Sequence, residues 1–168
     1  FVRGPMGTSE ETSNSIARGS LEPMGQLRGA SNGSLLCRDD LGDLFVYKPV
    51  SGESPLWDFT RDTLCRREVA AANLDGLLGW DLVPPTRWTD EGPMGPGMVQ
   101  QWVEEVDELR PVNIFDRHEV PTGWLSILQA IDQDGSEVTL AHDPREQLAQ
   151  MALFDAVINN ADRKAGHV

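Results

Sequence analysis

A lysine, a glutamate and an aspartate, far apart in the chain, are the residues through which this sequence could do chemistry. Phosphoryl transfer needs backbone donors over the phosphates, a cation on them, metal ligands, and a carboxylate beside the attacking oxygen. In kinases the cation is a Lys on the third strand, held by a Glu on the next helix. The carboxylate follows a helix of the second lobe, with a metal ligand five positions later. Lys48 ends the third predicted strand, Glu68 lies on the first predicted helix, Asp162 follows the last helix, and His167 stands five positions past Asp162. Each residue also has a plainer reading. A strand-end Lys snorkels into solvent, a helical Glu is a solvated charge or a helix pair, and Asp162 after Asn159-Asn160 reads equally as a helix-ending Asx turn. Only their agreement in order and context favours chemistry.

The elements that must position these groups follow from turn chemistry and periodicity. Residues 1–19, rich in Gly, Ser, Thr and Glu, read as a loose leader. Strands are expected around Leu21–Arg28, from Leu35 onward, and over Leu44–Val50 after the turn Asp39-Asp40-Leu41-Gly42-Asp43. A helix follows from about Thr63 to Leu78, with Asp62 or Thr63 as N-cap and Gly79 as its stop. Leu82-Val83 resumes strand character, Thr89–Pro96 is turn-rich, Gly97–Val103 is a strand, and residues 104–123 are mostly loop. Trp124–Ile131 and Glu137–His142 flank a hairpin signal, Asp132-Gln133-Asp134-Gly135. The last helix has Asp143 as N-cap, Pro144 at its first position and Glu146 completing a capping box. Its apolar residues occupy more than one face, which predicts burial on most sides. The five tryptophans read as packing residues.

Val46-Tyr47-Lys48-Pro49, Arg67-Glu68-Val69-Ala70, Leu82-Val83-Pro84-Pro85-Thr86, Gly97-Met98-Val99-Gln100 and Asn160-Ala161-Asp162-Arg163 occur in that order. Together they resemble the phosphatidylinositol 3/4-kinase-like superfamily over residues 20–168, the type II phosphatidylinositol 4-kinases and a bacterial branch most of all. The resemblance implies that Lys48 contacts the ATP phosphates and pairs with Glu68. It implies that Ser31, Asn32, Gly33 and Ser34 lie in the phosphate-covering loop, and that Gln100, Gln101, Trp102 and Val103 form the hinge beside adenine. Asp162 becomes the catalytic carboxylate, followed by Arg163 as in that superfamily. His167 takes the place of a metal-binding Asn, for Mg²⁺ or, given an imidazole, Mn²⁺. The second metal-binding Asp of such kinases lies downstream of the catalytic loop in an Asp-x-Gly segment, and this chain does not contain that downstream segment, so the chain alone is expected to turn over little or nothing.

The fold expected is α+β and two-lobed, protein-kinase-like. An N-terminal antiparallel sheet with one helix and the hinge covers residues 20–104, and a partial C-terminal lobe ending at the catalytic loop covers residues 105–168. The 168 residues suffice for a real core. A net charge of −13 argues against nucleic acid as partner, since a phosphate backbone would be repelled. No apolar run reaches the ~20 residues of a membrane span, which makes a cytoplasmic protein the expectation. Cys37 and Cys65 are widely spaced and read as free, buried thiols rather than a disulfide or a zinc site. The expected partners are a nucleotide and an unspecified hydroxyl acceptor, whether protein, lipid or small metabolite. Two rivals remain: a non-catalytic nucleotide-binding pseudokinase, suggested by His167, and an acidic interaction module, suggested by the charge.

Overall fold

The computed structural model describes residues 17, 19–27, 33–54, 56–104 and 110–163. Eight strands and two α-helices are present among them. They are β1 (Glu22–Gln26), β2 (Leu35–Arg38), β3 (Leu44–Pro49), α1 (Leu64–Leu78), β4 (Thr86–Gly92), β5 (Gly95–Gln101), β6 (Val112–Asp116), β7 (Leu125–Ile131), β8 (Glu137–His142) and α2 (Glu146–Ile158). The fold is α+β: one antiparallel sheet in the order β1-β2-β3-β5-β4 and a second in the order β6-β8-β7. The described residues up to Glu104 form one compact unit and those from Arg110 another. Among them, no helix is long and apolar enough to cross a membrane.

In the first unit, strand alternation divides β3 into two faces. Phe45, Tyr47 and Pro49 point one way and are buried, and Phe45 and Tyr47 cluster with Cys37, Val99 and Ala17. Lys48 points the other way. Residues paired directly across an antiparallel sheet share a face, so Lys48, Met98 and Trp88 form one row across β3, β5 and β4. Helix α1 meets this row at both ends: Glu68 reaches Lys48, and the Arg66 guanidinium lies 4.0 Å from the centre of the Trp88 ring. Gly79, in the left-handed region at φ 65°, ends α1, and its N–H donates to the Asp75 carbonyl.

The strand expected at Leu82-Val83 is absent. The buried Asp75 carboxylate accepts both of their N–H groups at 2.9 Å, which removes the donors a sheet would use. The segment read as turn-rich from Thr89 does turn at residues 93–94, but it also holds the end of β4 and the start of β5, with a register shift between Thr89 and Gly92 where they pair with Gly97 and Gly95. Trp57 is not a packing residue, since it is 96% exposed in the loop before α1.

In the second unit, β6 forms where a loop was expected, because β8 offers it a full edge to pair with. Register places Ile114, Leu140 and Leu128 in one row on one sheet face. The other face carries buried Thr139 and Ala141, and Phe115 meets Trp124 edge to face at 5.0 Å. Helix α2 starts at Glu146 rather than at Pro144. The Asp143 carboxylate turns back onto the backbone N–H and guanidinium of Arg145, which stays extended (φ −65°, ψ 142°), so Asp143 makes a local turn instead of a helix cap. Nor is α2 buried on most sides. Phe154 is its buried residue, whereas Leu153 and Val157 are 56% and 61% exposed.

Candidate functional site

Candidate residues occur in both units. In the first, the Lys48 ammonium donates to Glu68 Oε2 at 2.6 Å, tying β3 to α1. Their side chains retain 26% and 34% of their exposure, so the pair sits at the surface of the sheet–helix seam rather than inside it. An ammonium has three donors, and Glu68 occupies one. Below the pair, the buried Cys65 thiol donates to the Lys48 carbonyl at 3.4 Å. Burial, with the nearby Glu53 carboxylate, pushes this thiol up to about 12, so it stays neutral at physiological pH.

The Leu64 and Cys65 N–H groups at the start of α1 donate to the two carboxylate oxygens of Glu53, at 3.1 and 2.8 Å. Thr63, predicted as a cap, makes no side-chain bond to the helix; its hydroxyl donates to the Thr60 carbonyl at 2.6 Å. Two residues of the expected phosphate loop, Ser31 and Asn32, lie outside the described residues. Gly33 has φ 62°, and a side chain there would come within 3.8 Å of Gly52, just past Lys48. Ser34 is buried and accepts the Leu27 N–H through its carbonyl at 3.0 Å. Gly33 therefore lies beside the segment that follows Lys48. Of the expected hinge, Gln100 and Gln101 end β5, and the Gln100 amide donates to Thr86 Oγ1 at 2.9 Å. Trp102 follows, its N–H donating to the Leu44 carbonyl at 2.9 Å, and then Val103, which is 38% exposed.

In the second unit, α2 ends at Asn159, in the left-handed region at φ 57°. Asn160 makes an Asx turn here, its side-chain oxygen accepting the Asp162 N–H at 3.2 Å. Asp162 is exposed. Arg163 folds back onto α2 and grips both carboxylate oxygens of Asp155, at 2.7 and 2.8 Å, while the Asn160 amide donates to the same carboxylate at 2.9 Å. One acid thus fastens both sides of Asp162. The Arg163 hydrogen bond holds the Asp155 carboxyl below its ordinary 3.8. A depressed carboxyl contributes stability above its unfolded pKa and loses it as pH falls through the lower, folded value. Unfolding measured between about pH 5 and pH 2 should therefore show an acid limb beginning below 3.8 that Asp155→Asn flattens.

Sequence reasoning missed Glu53 and Asp155. Glu53 sits in an irregular loop and caps a helix eleven residues on, where no local capping pattern shows it. Asp155 left a usable signal, since it stands eight positions before Arg163 on the helix that delivers the loop. His167 lies outside the described residues. Among those described, no three His, Cys, Asp or Glu side chains converge as a metal site would require, so the structure assigns no residue to Mg²⁺ or Mn²⁺.

The chain is therefore an α+β protein with a strand-to-helix Lys–Glu pair and a fastened Asp loop. It is 45% identical over 165 residues to a protein of Mycobacterium tuberculosis designated Protein Rv2133c, matching 91% of this chain and 59% of the relative. The chain thus spans less than two thirds of that relative's length. No family model matches the sequence, and no solved structure matches it.

Proposed function

We propose that this chain supplies the nucleotide-holding and acceptor-orienting parts of an ATP-dependent kinase with a two-lobed, lipid-kinase-like fold. The Lys48–Glu68 pair at 2.6 Å carries the reading, because a strand lysine held by a glutamate of the next helix is the arrangement that aims an ammonium at nucleotide phosphates. Glu68 fixes the ammonium, whose remaining donors take the phosphates of ATP, delivered as its Mg²⁺ or Mn²⁺ complex. Gly33 and Ser34 belong to the loop over those phosphates, and Gln100 to Val103 lie beside adenine. Asp162 orients the acceptor hydroxyl and receives its proton, with Arg163 and Asp155 bracing the loop. The acceptor is a protein, lipid or small-metabolite hydroxyl rather than nucleic acid, in keeping with the charge of −13. The setting of this reading is cytoplasmic, where ATP is supplied.

The test is binding of MgATP to the whole protein, read by thermal shift, together with transfer of labelled γ-phosphoryl in the presence of candidate acceptors. Binding with transfer is the expected result. Binding without transfer favours the pseudokinase reading that His167 motivates. No response to MgATP overturns the kinase reading and favours an acidic interaction module.

A further inference from the structure

We propose that Glu53 is a positioning residue for the Lys48–Glu68 pair, holding α1 in the ion-paired position before any nucleotide arrives. The purpose assigned to the pair rests on the kinase reading; the mechanical link does not. The first N–H groups of a helix have no partner inside it, and Thr63 offers α1 no side-chain bond. Glu53 fills that role from outside the helix, with both oxygens engaged and its negative charge at the positive end of the helix dipole. Glu53 is also firmly connected to the lysine. Between them lies a single 3-10 turn, Val50–Gly52, closed by the Glu53 N–H on the Val50 carbonyl at 3.1 Å. Lys48 and Glu53 therefore belong to one stiff segment, which grips α1 at its first turn through Glu53 and one turn further on through Glu68.

Two further contacts oppose rotation of the helix about these grips. Arg67 lies 4.3 Å from the centre of the Phe59 ring in the preceding loop, and Arg66 stacks on Trp88 of β4. Kinases regulate whether the Lys–Glu pair is in place by moving its helix. Here the clasp holds the pair through contacts within the chain itself.

The sequence makes this measurable, because Lys48 and Lys164 are its two lysines. Amine acylation of the folded chain, followed by mass spectrometry with Lys164 as internal reference, reports how firmly Glu68 shields Lys48. Glu68→Gln should speed Lys48 labelling by about fivefold, the upper range for an exposed pair. Glu53→Ala should do nearly the same, and the double variant no more than Glu68→Gln alone. Glu53→Gln, which keeps one acceptor oxygen, should fall between and serves if the alanine variant folds poorly. A cap that merely stabilises the helix would lower the melting temperature and leave Lys48 labelling unchanged in both Glu53 variants; that result, or fully additive effects, overturns the proposal. Failure of the kinase reading is separate, since it appears as Lys48→Ala leaving MgATP affinity unchanged whatever the labelling shows.

Discussion

On the proposed kinase reading, replacing Lys48 by Ala is expected to lower phosphoryl transfer by the whole protein by about a hundredfold or more while leaving the fold intact. The magnitude follows from removing one preorganised charge from a developing phosphoryl transition state, where single donors contribute about 10²–10³ in rate. The fold should survive because the ion pair is partly exposed, at 26% and 34%, and such pairs contribute about 1 kcal/mol or less. Asp162→Asn should cost about 10²–10⁴ in rate through loss of the proton acceptor. It should leave MgATP affinity nearly unchanged, whereas Lys48→Ala should weaken both. Steady-state rates and nucleotide affinities of the two variants provide the check. Equal effects on affinity would contradict the division of labour, and unchanged turnover in both would remove the kinase assignment.

Gly97→Ala is expected to destabilise the first unit by about 3 kcal/mol, the upper range for overpacking. A Cβ at Gly97 would stand 2.3 Å from the Lys48 carbonyl oxygen, 2.9 Å from Tyr47 Cε2 and 3.0 Å from Pro49 Cα. Two of those atoms are backbone and cannot rotate away. The Tyr47 ring is fully buried, and its hydroxyl donates to the Gly95 carbonyl at 2.7 Å. Relief must therefore come from parting β3 and β5, which shifts the backbone that carries Lys48. The melting temperature should drop by roughly 10 °C, and nucleotide affinity should fall with it even in the folded protein. Gly76→Ala is the control. It lies within α1 with nothing within 4 Å of the added atom, and there alanine should stabilise by about 1 kcal/mol. A harmless Gly97→Ala would mean that the β3–β5 approach is looser than its register implies.

Most of the elements were legible because their signals are local. The Asp39–Asp43 turn, the alternation through β3, the Gly79 stop and the Asp132–Gly135 hairpin each depend on neighbours within a few residues, and each forms as expected. Two strands were not legible. The second half of β4, Asp90-Glu91-Gly92, has little strand preference, and β6 carries Val112, Ile114 and Phe115 but spans only five residues; β5 and β8 supply their partners. Leu82-Val83 shows the converse: apolar enough for a strand, but with both donors taken by Asp75. The capping box at Asp143 failed for a related reason, because the adjacent Arg145 competes for the carboxylate that would have capped α2.

By itself, then, the sequence determined the residue types that phosphoryl chemistry would need, the strand that bears Lys48, the helix that bears Glu68 and the helix that Asp162 follows, since periodicity and turn chemistry act over short distances. Only the tertiary structure decided that Glu53 caps α1, that Asp155 fastens the loop on both sides of Asp162, and that Gly97 must lack a side chain for β5 to lie against Lys48. Those three facts depend on which groups come within bonding distance after folding, and spacing along a chain does not encode that distance.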